Sequence, residues 1–232
     1  ILLRGEFILI FAFCLIYLFF FYKNVNLKKI ILTSFITLLV LSPYLYRNIS
    51  ELNTFSITKS IGFNLWKGNN PNSNVEGDLT RHVNDKGDPI GFEGDLKEKI
   101  TDLPVDKYFD INLDNLFLDE SIKNIKNEPG RYLVLYIKKF ISFLFIDLNS
   151  TIKNYYHPLH LIPLIIISFS SFIGMLISIG NSKNLNLIAM LYLSYIFIFS
   201  FFFILPRYNL IILPMQILLT GKLINKLYKK TT

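Results

Sequence analysis

Residues 159–179 read LHLIPLIIISFSSFIGMLISI, with no Lys, Arg, Asp or Glu among them. A helix rising about 1.5 Å per residue carries a run of this length across the ~30 Å of a bilayer's hydrocarbon core. No water is available there to satisfy the backbone, so the run must close its own hydrogen bonds as a helix. Four further apolar segments repeat the pattern: Phe7 to Tyr22, Ile30 to Tyr46, Leu185 to Leu205 and Leu210 to Ile224. The segment 185–205 is also long enough outright, whereas the other three draw on flanking residues. The 232 residues are 52% hydrophobic and 16% aromatic, with a mean hydropathy of +0.42, and the apolar residues come in blocks instead of being dispersed as in a soluble core. The expectation is an all-α integral membrane protein with about five transmembrane helices.

The lysines set the orientation. The short loop KNVNLKK (23–29) carries Lys23, Lys28 and Lys29 and is expected to be cytoplasmic. Alternation then places residues 47–157 outside, GNSKN (180–184) inside, PRYN (206–209) outside, and the tail KLINKLYKKTT (222–232), with Lys222, Lys226, Lys229 and Lys230, inside. Three parts follow: 1–46 with two transmembrane helices, a periplasmic loop domain over 47–157, and 158–232 with three transmembrane helices. The net charge of +7 is explained by lysines flanking apolar segments, and no nucleic-acid-binding motif is present. Cys14 is the only cysteine, which excludes an internal disulfide and a cysteine-based metal site. Its place in an apolar run reads as a small lipid- or core-facing residue. The chain opens on Ile1 directly in an apolar run, without an initiator Met or signal peptide, and we read it as the C-terminal part of a longer protein.

Chemistry is expected outside the membrane. Sixteen of the 17 acidic residues lie between Glu51 and Asp147. The loop is rich in Asn, Gly and Asp up to Asp102, then turns helical, with Phe109, Leu113, Leu116 and Phe117 on one side. A second helix is expected from Pro129, since proline suits the first helical position. That helix, in PGRYLVLYIKKFISFLFID (129–147), carries Lys138 and Lys139 at its centre, which is costly for a spanning helix and suits an amphipathic helix in the interface. Were it to span, the basic-inside pattern after it would invert. Asp78, Asp85 and Asp88 read as solvated loop acids. His157 and His160, three apart, have no companion ligand at metal spacing.

Arginine is rare: Arg4, Arg47, Arg81, Arg131 and Arg207 among 24 basic residues. Arg47 closes SPYLYRN and Arg207 stands in ILPRYNL. Each can grip a phosphate bidentately or snorkel to headgroups as an anchor.

The order SPYLYRN (42–48), NLWKGNNPNSN (64–74), KNEPGRYLVLYIKKF (126–140) and PRYNLIILPMQILL (206–219), with RGEF (4–7) before the first apolar segment, resembles bacterial GT-C glycosyltransferases. The resemblance is to the group related to protein O-mannosyltransferases and the lipid A aminoarabinose transferase. It covers nearly all of this chain but only the C-terminal half or so of such an enzyme. It implies transfer of a sugar from a polyprenyl-phosphate donor to a lipid, glycan or protein acceptor on the periplasmic side of the bacterial inner membrane. The catalytic carboxylate of such enzymes lies in the first outside loop, which would precede Ile1, so no catalytic residue is carried over here. A divalent metal serves some members; no cofactor is assigned to this chain. Arg47, Arg207 and Tyr208 are candidates for the donor phosphate, and Asn64, Trp66, Asn69 and Asn70 for sugar or acceptor contact. Trp66 could stack on a sugar ring or pack against the lipid interface, and the asparagines could bind hydroxyls or simply form turns. Two rivals are an O-antigen ligase or polymerase, which also carries a large outside loop, and a transporter or flippase. Transporters usually show ionisable residues within spans or Gly/Pro-broken helices at the midplane, whereas these spans hold almost no charge and the polar residues lie outside them.

Overall fold

The structure is a computed structural model and describes residues 7–22, 25–55, 57, 60–84, 87–179 and 183–231. Arg4 and the RGEF turn before Phe7, Lys23, Asp85 and residues 180–182 of the basic loop lie outside the described residues, as does the side chain of Lys230. The described chain is mostly helical. Its helices are α1 (Phe7–Phe21), α2 (Leu27–Leu52), α3 (Ile61–Gly68), α4 (Gly94–Thr101), α5 (Phe109–Asn127), α6 (Pro129–Leu144), α7 (Pro158–Ser178), α8 (Lys183–Phe199) and α9 (Asn209–Thr231). A two-residue antiparallel pair, β1 (His82–Val83) and β2 (Pro89–Ile90), stands between α3 and α4, with His82 opposite Ile90.

All five apolar segments are helical. Three are long and apolar enough to cross a membrane: Leu27–Leu52, Pro158–Ser178 and Pro206–Lys229. The apolar helices α1 and α8, with 15 and 17 residues, are shorter. α2 runs six residues beyond the expected Tyr46 and passes through Pro43. Proline leaves the carbonyl one turn back without its amide partner, and the Ser42 hydroxyl donates to that carbonyl, Leu39 O, at 2.8 Å. α8 stops at Phe199 instead of Leu205. Residues 201–203 leave the helix because Asn69 Nδ2 donates to Phe201 O at 2.7 Å while Phe203 lies beneath the Lys67 ammonium.

The chain divides into two compact units. The first comprises residues 35–135 with 201–203. Its core is Trp66, Phe92, Ile100 and Phe117, with Phe63, Leu113 and Leu116 packed against it. The expected apolar side of α5 is thus the side that meets α3. Rings stack tightly there: Trp66 lies 4.8 Å from Phe117 and 5.2 Å from Phe92. α3 crosses α5 at Gly62, where a Cβ would fall 1.9 Å from Asp114 O, so only glycine permits the approach.

The second unit comprises residues 6–34, 136–200 and 204–232. α7 lies along α9, and the small residues Ser168, Ser171, Gly174 and Ser178 form the buried stripe of α7. A Cβ on Gly174 would fall 1.9 Å from Leu219 O. Small residues are what let membrane helices approach so closely. The stripe's hydroxyls cause no unsatisfied burial, since Ser178 donates to Gly174 O at 2.7 Å and Ser171 to Ser168 O at 2.9 Å. On α8, Tyr195 stacks on Phe199 at 4.2 Å, and Phe7 of α1 and Phe143 of α6 pack against them.

Candidate functional site

The first unit contains a cleft of about 370 Å³ within the size range of small-molecule sites. One wall is α5, which turns Asp110, Leu113, Asp114 and Phe117 toward it at the three- and four-residue spacing of a single helix face. The other walls are Ser60 and Phe63 at the start of α3 and His82 and Val83 of β1. The crossing at Gly62 fixes the geometry. It brings the Phe63 backbone N–H to Asp114 Oδ1 at 2.8 Å, holding that carboxylate in the wall of the cleft. Phe63 is half-buried and backed by Phe117 at 5.2 Å, itself braced by Trp66. The Lys67 ammonium lies 5.8 Å from the Phe63 ring centroid. The lining therefore combines aromatic rings with two carboxylates, an imidazole and a hydroxyl.

The residues singled out for sugar contact lie elsewhere in this architecture. The stretch expected as a turn-rich element begins as helix: Asn64, Leu65, Trp66, Lys67 and Gly68 belong to α3, and the turn starts at Asn69. Trp66 is 1% exposed and has no open face on which a sugar ring could stack. Asn69 and Asn70 are buried and serve the end of α3, whose last carbonyls lack intrahelical partners. Asn69 Nδ2 donates to Leu65 O at 2.8 Å, Asn70 Nδ2 to Trp66 O at 3.2 Å, and Ser73 Oγ to Lys67 O at 2.9 Å. Their amides thus act as helix caps. Asn64 is half-buried on α3.

Asp78 corrects the reading of solvated acids. It is 4% exposed; its Oδ1 accepts from the Thr80 N–H and hydroxyl at 3.0 and 2.7 Å, and its Oδ2 is 3.5 Å from Arg81 Nε. Its own N–H donates to Lys67 O at 2.8 Å, tying the loop back to α3. Asp88 is exposed and paired with Asn84 at 2.9 Å.

Arg47 is exposed near the C-terminal end of α2. Arg207 is exposed in the 3-10 turn Pro206–Tyr208 that leads into α9, with its guanidinium 5.8 Å from the ring of Tyr208. Tyr208 is buried against Phe199, 6.2 Å away. His157 caps α7, its Nδ1 accepting from the Leu159 N–H at 3.3 Å, and the His160 ring meets Tyr155 at 5.3 Å. Among the described residues no group of three or more His, Cys, Asp or Glu side chains is placed to hold a metal ion.

Two features were not singled out from sequence. One is the cleft itself. Asp110 and Asp114 sit four apart on a visibly amphipathic helix, a signal that was available, but Ser60 and His82 reach them only through the fold. The other is the burial of Lys139, which the sequence presents only together with Lys138 as a lysine pair at the helix centre. Tyr132, Leu135, Lys139 and Phe143 form the buried stripe of α6, and Lys139 is 0% exposed while Lys138 faces outward. Burial penalises the charged ammonium and pulls its pKa down to about 7. No known family model, characterised protein or solved structure matches the chain.

Proposed function

We propose that this chain is part of a bacterial inner-membrane glycosyltransferase that moves a sugar from a polyprenyl-phosphate donor to an acceptor at the periplasmic face. One observation carries the reading. Two of the long apolar helices each have a lysine end and an arginine end. α2 starts with Lys28 and Lys29 and ends near Arg47; the span Pro206–Lys229 starts at Arg207 and ends at Lys226 and Lys229. At about 1.5 Å per residue, the separation of the two ends in each helix matches a bilayer of ~30 Å. With the lysines cytoplasmic, each arginine lies at the outer end of its own helix, exposed and able to grip a lipid-borne phosphate bidentately. The motif order SPYLYRN, NLWKGNN, PRYN adds the sugar-transfer chemistry by resemblance. The polar residues between α2 and α7 supply an outside surface for the acceptor.

The test uses the protein expressed from its full reading frame in membranes. Arg47→Ala and Arg207→Ala are each expected to raise the Kd for a radiolabelled polyprenyl-phosphate sugar by about tenfold or more, the loss of a charge-assisted contact of ~1.5–3 kcal/mol, with membrane insertion and thermal unfolding unchanged. Unaltered donor affinity in both variants removes the assignment.

A further inference from the structure

We infer that α6 enters the bilayer obliquely, in the leaflet at the Phe199 end of α8, with Lys138 at the lipid phosphates and Ile141 among the acyl chains. The packing of α6 from Tyr136 onward, within the second unit, sets its depth. Tyr136 donates its hydroxyl to Phe197 O at 3.0 Å and meets the Phe197 ring at 5.9 Å, two residues short of the end of α8. Phe143 meets Tyr195 at 5.6 Å, four residues short of it. Seven residues of α6, about 10 Å, thus pass over only two of α8, about 3 Å, so α6 lies across α8 and not along it. The C-terminal side of α6 is the deeper one. Phe145, just past its end, stacks at 4.7 Å on Phe169, eleven residues past the start of the long apolar helix α7.

Three sides of α6 call for three surroundings. Lys139 and Phe143 face the protein interior. Leu133, Ile137 and Ile141, spaced by four, form an apolar stripe that stays 60%, 46% and 50% exposed. Acyl chains accept such a stripe where water does not. Lys138 is exposed as well and stands about 100° round the helix from Ile137, where its flexible stem carries the ammonium to the headgroups while the isoleucines are immersed. An apolar side next to a basic one is what a helix in the interface requires. The end of α6 is also closed in the way lipid demands, since backbone groups that leave a helix there find no water. Ser168 of α7 donates its hydroxyl to Phe145 O at 3.4 Å, and the Asp147 and Ser150 N–H groups donate to the Tyr155 and Tyr156 hydroxyls at 2.8 and 2.9 Å. The inference rests on the membrane character of the apolar helices and is independent of sugar transfer.

The full-length protein, with its own cysteines changed to serine, is given Ile137→Cys, Lys138→Cys or Ile141→Cys and reconstituted in vesicles of phosphatidylcholine and phosphatidylglycerol. Each introduced thiol carries a nitroxide. EPR power saturation then compares its collisions with oxygen, which concentrates among acyl chains, and with a water-soluble nickel chelate. All three residues are exposed, so each variant is expected to keep the wild-type circular dichroism. The oxygen-to-nickel ratio is expected to rise from Lys138→Cys through Ile137→Cys to Ile141→Cys, by about threefold or more overall, as the label passes from headgroups to acyl chains. Collisions mainly with nickel at all three positions place α6 in water and overturn the inference. Few collisions with either reagent mean that a second copy or another protein covers this face, and overturn it too. Equal ratios at Lys138→Cys and Ile141→Cys refute the oblique entry.

Discussion

Lys139 shows how one residue can hold a property its neighbour lacks. Lys138 and Lys139 are adjacent, and helix geometry sends one outward and the other into the buried stripe of α6. α6 is not among the helices long and apolar enough to cross the membrane. Below pH 7 Lys139 is charged in both the folded and unfolded states, and folding carries the full desolvation cost. Between about 7 and the ordinary value of 10.5 the folded state releases the proton while the unfolded state keeps it. The unfolded state then binds more protons, so stability rises with pH, by up to about 1.4 kcal/mol per pH unit, and levels off above the ordinary lysine pKa. Thermal unfolding in detergent is expected to show the wild type gaining on Lys139→Met from pH 7 to 10. Parallel pH curves would contradict the burial of this ammonium. The KK pair was visible in the sequence, but which lysine enters the interior depends on the partner helices. Trp66 and Asp78 carry the same lesson. An indole and a carboxylate in a polar stretch look ligand-facing or solvated until α5 and the Lys67 carbonyl are placed beside them.

At the scale of elements, the close α7–α9 contact at Gly174 is the clearest dependence of packing on a single position. Gly174→Val places a branched side chain where even a Cβ meets Leu219 O at 1.9 Å, and the obstacle is backbone, which cannot rotate away. A loss of about 1–3 kcal/mol is expected from such overpacking, seen as a lowered midpoint in detergent unfolding. Gly221→Ala on α9 is the internal comparison. A Cβ there meets nothing within 4 Å, and removing glycine from a helix is expected to be neutral or to stabilise by up to about 1 kcal/mol. Equal effects of the two substitutions would refute the α7–α9 packing. Where helices lie was largely legible, because every apolar block and the Pro129 start are strong local signals. Where they end was less so. Pro43 reads as a stop until Ser42 takes the carbonyl it frees, and α8 loses its last expected turn to Asn69, a partner 132 residues distant in the chain. The helix in NLWKG was hidden because its caps are the same Asn residues that signal turns.

Of the two units, one has its own aromatic core and a cleft whose lining includes two carboxylates, and the other is built of apolar helices. Membrane character was readable from the runs alone, since hydropathy and the hydrogen-bonding demand of lipid act locally. The cleft was not, because it forms where α3, β1 and α5 meet and none of its residues is distinctive alone. Arg47 and Arg207 fall between these cases, at positions the sequence exposes and with a role that only a donor lipid can demonstrate. The proposed reaction is sugar transfer from a polyprenyl-phosphate donor. The measurement that addresses it most directly is release of radiolabelled sugar from that donor onto a periplasmic acceptor fraction by membranes containing the full-length protein. Donor-dependent transfer is expected, falling at least tenfold in the double variant Arg47→Ala/Arg207→Ala. Membranes that insert the protein normally yet transfer no sugar from any polyprenyl-phosphate donor would contradict it.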